Sequence, residues 1–147
     1  MPVVRGCNLP DELAYDVPNN LWYRAEGDGT FTVGMTMVAA ALAGNLVAFT
    51  AKKAGKTIEA GKSVATVESG KWVGPVKIGF DAEILAVNED LSNDPKLVNT
   101  DTYGSGWMVR IRPVDPATAS AILVPGAHVA APYEAKMTAD AFAGCAP

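Results

Sequence analysis

The sequence contains one histidine and two cysteines, too few ligands for a zinc site of the usual imidazole and thiolate kind. The same shortage limits acid–base chemistry. His128 stands alone in Gly126-Ala127-His128-Val129, and neither GxSxG nor HExxH supplies a nucleophile or metal motif. His128 therefore reads as a surface or structural residue. The carboxylates of Asp11-Glu12 and Glu89-Asp90 are sequence neighbours whose side chains point apart or stay solvated, so an acid/base pair is weakly indicated. The glycines fit neither GxGxxG nor GxxxxGK[ST], which leaves no nucleotide cradle. The expectation is a protein that catalyses nothing itself.

Basic charge is sparse too. Twelve Lys and Arg against sixteen Asp and Glu give a net charge of -4, and no basic cluster is long enough to follow a phosphate backbone. Nucleic acid is not expected as a partner. A long apolar run is also missing, since the longest stretch, Met35 to Thr50, is broken by Gly44 and Asn45 and is too short to cross a bilayer. The start, MPVVRGCNLPDEL, has no apolar signal core. The chain is expected in the cytoplasm, with no membrane partner. Cys7 and Cys145 lie near opposite ends without CxxC spacing; a disulfide between them stays open, but two ordinary thiols fit a cytosolic chain better.

What the chain does have is turn-forming residues, 14 Gly and 10 Pro in 147 residues, with 49% hydrophobic content. That suits a single turn-rich domain over 1–147. Leu21-Trp22-Tyr23-Arg24 and Thr30-Phe31-Thr32-Val33 are β-prone runs joined through Asp28-Gly29, a hairpin signal. Thr36 to Ala43 is Ala-rich, starts at a plausible Thr N-cap and stops at Gly44-Asn45, so a helix of about two turns is predicted. Leu46 to Thr50 returns to strand, Thr57 to Lys62 and Ser63 to Glu68 alternate, and Val73 to Ile78 forms a returning arm that Pro75 restricts to an edge or bulge. Lys71 then falls in or beside a turn between strands.

Ala82 to Val87 and Trp107 to Arg112 read as further strands. Between them Asn88 to Thr102 reads as a surface turn or one helical turn around Pro95-Lys96-Leu97-Val98. Asp115 to Ala119 and Tyr133 to Ala143 are the helical candidates of a peripheral tail over 113–147. Within Glu68-Ser69-Gly70-Lys71, a lysine sits at a hairpin with small neighbours and an acidic residue before it, where a modifying enzyme can reach the amine. Taken alone, that tetrapeptide also reads as an ordinary solvated turn lysine.

The order of motifs over Leu9 to about Arg112 changes that balance. Leu9-Pro10-Asp11-Glu12-Leu13, Trp22-Tyr23-Arg24 with Glu26-Gly27-Asp28-Gly29-Thr30, and Thr32-Val33-Gly34-Met35-Thr36 come first. Ala60-Gly61-Lys62-Ser63 and Val67-Glu68-Ser69-Gly70-Lys71 follow, then Val87-Asn88-Glu89, Leu97-Val98-Asn99 and Tyr103-Gly104-Ser105-Gly106-Trp107. In this order and spacing the chain resembles the H proteins of the glycine cleavage system. The resemblance implies a mainly β fold, the lipoyl-type barrel-sandwich hybrid of two antiparallel sheets, with a short helix near 36–43, a core about 9–112 and peripheral C-terminal helices. It implies covalent lipoate on Lys71, with Glu68, Ser69 and Gly70 as recognition context. Such a group would be joined by roughly ten rotatable bonds of ~1.5 Å, a reach on the order of 14 Å.

The chain departs from the family pattern around that lysine. Trp72-Val73-Gly74-Pro75-Val76-Lys77 brings an indole, a proline and a second lysine where small and acidic residues are usual. With the loop Ala51-Lys52-Lys53-Ala54-Gly55-Lys56 and with Arg5-Gly6-Cys7-Asn8, it resembles an offshoot, the lipoate-binding proteins of bacterial sulfur oxidation. That likeness implies a carrier shuttling sulfur intermediates with a heterodisulfide-reductase-like complex. The alternatives are carriage of the aminomethyl group among the glycine cleavage enzymes, and an unmodified interaction module. Either carrier implies a lipoate ligase or lipoyl-transfer machinery as a partner. Trp72 shields the arm, docks a partner or simply packs on the sheet; Lys77 reads as a solvated charge, and Cys7 as inert rather than a sulfur acceptor.

Overall fold

The computed structural model describes residues 3–145. Its strands in chain order are β1 (Val3–Val4), β2 (Cys7–Asn8), β3 (Ala14–Asp16), β4 (Leu21–Ala25), β5 (Phe31–Met35), β6 (Leu46–Ala51), β7 (Thr57–Ile58), β8 (Ser63–Ser69), β9 (Val73–Lys77), β10 (Ala82–Val87), β11 (Val109–Pro113) and β12 (Val124–Pro125). The helices are α1 (Met37–Ala43), α2 (Asp90–Asn93), α3 (Leu97–Thr100), α4 (Pro116–Ile122) and α5 (Ala130–Ala139), with a 3-10 turn at Gly126–His128. Seven strands form one sheet in the order β12-β3-β4-β5-β11-β10-β7, three form a second in the order β6-β8-β9, and β1 pairs with β2 as a ribbon. All these pairings are antiparallel. This is the expected mainly β sandwich of two antiparallel sheets, with the terminal ribbon added.

Local chemistry accounts for the elements that position the site. The β4–β5 hairpin closes because the Asp28 carboxylate accepts from the Thr30 backbone N–H at 3.0 Å, while the Glu26 N–H donates to the Thr30 carbonyl at 3.0 Å. Helix α1 starts where the Thr36 hydroxyl accepts from the Ala39 N–H at 3.3 Å. It ends at Gly44, whose φ of 82° a side chain would make costly. Pro75 lies on β9, the edge of the three-stranded sheet, where its missing N–H leaves no ladder bond unmade.

Two apolar cores result. Leu21 and Tyr23 of β4 face the space between the sheets with Val33, Phe49, Val67 and Ile111, whereas Trp22 points to the opposite face and joins Leu9, Leu13, Tyr15, Tyr133 and Met137. Strand alternation sends neighbours to opposite faces, and both faces of β4 are covered, so the run Leu21-Trp22-Tyr23 is buried throughout. Each large side chain removed from water contributes on the order of 1.5–3 kcal/mol. The tail helix α5 lies outside the sheets yet seals this second core through Tyr133 and Met137, Tyr133 meeting Tyr15 edge to face at 6.4 Å between ring centroids.

The expectation of two ordinary thiols is corrected: Cys7 and Cys145 form a disulfide, with Cα atoms 5.1 Å apart. Their separation of 138 residues leaves no local signature. What joins them is the second core, where α5 packs on the β1–β2 ribbon, the Cys145 N–H donates to the Arg5 carbonyl at 2.9 Å, and the Arg5 guanidinium donates to the Phe142 carbonyl at 2.8 Å. Other boundaries also moved. The segment 88–102 holds two short helices instead of one turn, the alternation over Thr57 to Lys62 yields only β7, and the last helix spans Ala130–Ala139 where Tyr133 to Ala143 was expected.

Candidate functional site: the Lys71 hairpin

Strands β8 and β9 are paired from Ser63 with Lys77 up to Glu68 with Val73, so the chain must reverse within Ser69-Gly70-Lys71-Trp72. Ser69 closes that reversal. Its N–H donates to the Trp72 carbonyl at 2.7 Å, and its buried hydroxyl accepts from the Lys71 N–H at 3.4 Å. Glu68, Gly70 and Lys71 are exposed. Among the described residues no ion pair holds the Lys71 ammonium, whereas Lys136 is bound to Asp140 at 3.0 Å. An exposed, unpaired amine on a rigid tight turn fits acylation: an enzyme can grasp the turn, and no ion pair is broken when the charge is lost.

The turn is buttressed from the other sheet edge. Leu46, the first residue of β6, pairs with Ser69, which brings the end of α1 beside the hairpin. A Cβ placed on Gly44 would lie 3.4 Å from Lys71 Cε and 4.0 Å from Nζ, so the lysine stem passes over the helix C-terminus. Asn99 of α3 locks this junction. Its amide donates to the Gly44 carbonyl at 2.9 Å, and its oxygen accepts from the Leu46 N–H at 2.9 Å. The adjoining loop is held by Asn88, whose amide donates to the carbonyls of Ser105 and Trp107, each at 2.8 Å. Sequence reading quoted Asn99 and Asn88 inside motifs without assigning them a task; nothing local reveals a clamp on a backbone 53 residues away.

Trp72 lies flat on the hairpin. Its ring covers Gly74 so closely that a Cβ there would fall 2.0 Å from Cζ2, and the side chain is still 41% exposed. It walls a cavity of about 220 Å³ together with Leu42, Met35, Pro75 and Asn20. The Asn20 side-chain oxygen is buried there without a hydrogen-bond partner. The trough, lined mainly by apolar side chains, thus adjoins Trp72, the residue that follows the lysine. The indole packs on the sheet and also forms a wall of this cavity.

The other singled-out residues lie elsewhere. His128 is exposed in the 3-10 turn, and Lys77 is exposed at the end of β9. No cluster of three or more His, Cys, Asp or Glu that could hold a metal occurs among the described residues. No helix of the described residues is long and apolar enough to cross a membrane. Elsewhere in the framework, burial pushes the Tyr103 phenol up to about 12; its hydroxyl accepts from the Met37 N–H at 3.0 Å and so pins the start of α1.

Comparison with known proteins agrees with this geometry. The family model described as "Glycine cleavage H-protein" matches residues 13–135. Glycine cleavage system H protein 5 of Aquifex aeolicus (strain VF5) is 51% identical over 127 residues, covering 84% of this chain and 86% of that one. Glycine cleavage system H protein 2 of the same organism is 42% identical, covering 76% and 69%. The crystal structure of a glycine cleavage system H protein from Mycobacterium marinum superposes with a TM-score of 0.72 at 29% identity, over 88% of this chain and 98% of that one.

Proposed function

The chain belongs to the glycine cleavage H-protein family, and from that premise we propose that Lys71 is the lysine bearing its lipoyl group. Proteins of this family are non-catalytic carriers with lipoate attached covalently to a lysine. The observation that carries the assignment to Lys71 is its position at the apex of the β8–β9 hairpin, exposed and free of any ion pair among the described residues. Ser69 and Gly70 shape the turn and Glu68 sits one strand position before it, the context a lipoate ligase would read. A lipoyl amide supplies a strained cyclic disulfide that interconverts with a dithiol. The protein's own part is to hold the attachment point rigid, through Ser69 and the Asn99 clamp, so that tethering concentrates the arm at a docked partner. We take residues 1–147 as one carrier domain working in the cytoplasm.

On cargo, the names of the relatives favour the glycine cleavage system, hence an aminomethyl group handed among glycine cleavage enzymes. A second reading, carriage of sulfur to a heterodisulfide-reductase-like complex, is favoured by the surface around the lysine. Val73 at 62% exposure shares the solvent face of β9 with Lys77, and Trp72, 41% exposed, covers Gly74 on the opposite side of the same arm, so the arm carries exposed apolar and basic groups. Relatives numbered 5 and 2 occur in one organism, which leaves room for carriers with different cargo.

Lys71→Arg tests the attachment, because a guanidinium keeps the charge but is not acylated. Incubation with a lipoate ligase should add a lipoyl mass to the wild type and none to the variant; a lipoyl mass on the variant would move the site elsewhere. For cargo, the reduced lipoyl protein is offered thiosulfate, and the oxidised lipoyl protein, whose cyclic disulfide takes up the two electrons released by decarboxylation, is offered glycine with glycine decarboxylase. A sulfur-bearing mass supports the second reading, and turnover with the decarboxylase supports the first.

A further inference from the structure

The Cys7–Cys145 disulfide stands at one end of a groove whose other end is Gly44, the residue the Lys71 stem approaches. The groove has a volume of about 290 Å³, and its floor is Met37, Ala40, Ala41 and Gly44. These positions, i, i+3, i+4 and i+7, form one face of α1. At the C-terminal end, Gly44 lies beneath the Lys71 stem. At the N-terminal end, Cys145 lines the groove and its Sγ lies 3.7 Å from the Met37 carbonyl oxygen. The helix thus works as a ruler between an acylable amine and a pair of bonded sulfurs. Met37 to Gly44 spans roughly 10 Å of helix at ~1.5 Å per residue, the same order as the ~14 Å reach of a lipoyl-lysine. Alanines on the floor leave the track open.

We propose that the groove along α1 guides the lipoyl arm of Lys71 to the Cys7–Cys145 disulfide, making that disulfide an internal thiol–disulfide exchange partner of the arm. The inference rests on the attachment of lipoate at Lys71. Cys145 is the sulfur to be attacked, since Cys145 lines the groove whereas Cys7 is fully buried and does not line it. One thiolate of the reduced arm attacks Cys145 Sγ, the Cys7–Cys145 bond breaks, and Cys7 leaves as a thiolate that takes up a proton. The second arm thiol, losing its proton, attacks the arm sulfur of the mixed disulfide, closes the dithiolane ring and releases Cys145. The arm is oxidised by two electrons and the cysteine pair is reduced by two, with two protons passing between them. Reduction also unties the two ends of the chain, so the redox state of the arm would be written into the surface formed by the ribbon and α5.

The test uses the full-length lipoylated protein with its disulfide intact, under anaerobic conditions. The arm is reduced with NADH and a lipoamide dehydrogenase, the thiols are trapped with iodoacetamide, and the peptides containing Lys71, Cys7 and Cys145 are read by mass spectrometry. Alkylated Cys7 and Cys145 are expected in the lipoylated protein at a rate independent of protein concentration, and only background labelling in Lys71→Arg. Ala41 is exposed, so Ala41→Arg fills the groove from the solvent side and should slow cysteine labelling at least tenfold, with lipoyl content checked by intact mass. A fully reduced arm beside an intact Cys7–Cys145 disulfide would overturn the proposal while leaving the carrier function standing. Labelling that rises with protein concentration would also overturn it, because exchange would then run between molecules. Lipoate absent from the Lys71 peptide would overturn the carrier assignment first and this inference with it.

Discussion

Reducing the Cys7–Cys145 disulfide should cost this protein a large share of its stability. The bond closes a loop spanning 138 residues of separation; loop-closure entropy at that length corresponds to about 5 kcal/mol at 25 °C. For a domain of this size each kcal/mol moves Tm by roughly 3 °C, which gives a fall of about 15 °C as the upper limit. Residual order in the reduced, unfolded chain lowers the figure, so about 8–15 °C is expected. The ends will not simply fall apart in the native state. Arg5 still donates to the Phe142 carbonyl, to Thr138 Oγ1 at 2.8 Å and to Glu134 at 2.8 Å, and the Cys145 N–H still donates to the Arg5 carbonyl. The reduced protein should therefore unfold in one cooperative transition, only earlier. Differential scanning calorimetry with and without a phosphine reductant, alongside a thiol count, reads this directly. A shift under about 2 °C, with two thiols appearing on reduction, would refute the reasoning, since the crosslink would then restrain no unfolded chain.

Asn99→Ala removes both bonds of the clamp and leaves the Gly44 carbonyl and the Leu46 N–H without their partner; a loss of about 1–3 kcal/mol in denaturant unfolding is expected, with faster amide exchange at Leu46, and unchanged exchange there would show the junction is held otherwise. All four tyrosines resist ionisation: Tyr103 is pushed up to about 12 by burial, and burial raises Tyr15, Tyr23 and Tyr133 still further. Because the neutral phenol is the form the fold protects, this stability is complete below pH 10 and is lost as pH climbs through about 12, where phenolate absorbance should appear together with unfolding; gradual titration from pH 10 in a folded protein would contradict it. Gly74→Ala drives a methyl into the Trp72 ring, so the indole should lift off the hairpin and become more accessible to an acrylamide quencher, with a stability change under about 1 kcal/mol for so exposed a side chain.

Local chemistry was legible in the sequence where the signal is local. Asp28-Gly29 marks the β4–β5 hairpin, Thr36 and Gly44 bracket α1, Pro75 marks an edge strand, and Lys71 falls at a turn, because each is decided by residues within one turn of the chain. The disulfide was not legible, nor was the clamp of Asn99 on Gly44 and Leu46, nor the pairing of β3 with β12, because each joins segments brought together only by the packed cores. The tail is expected to be helical and peripheral; Tyr133 and Met137 show how two buried residues suffice for a short helix to seal a core. The groove along α1 belongs with these, since its small residues read as helix formers until Gly44, which the Lys71 stem approaches, and Cys145 are seen at its two ends.

The most direct test of the account is peptide mass spectrometry of the protein purified from its native host. A lipoyl amide on the peptide containing Lys71, and on no other lysine, is the predicted result. A wholly unmodified Lys71, or lipoate on another lysine, would contradict it.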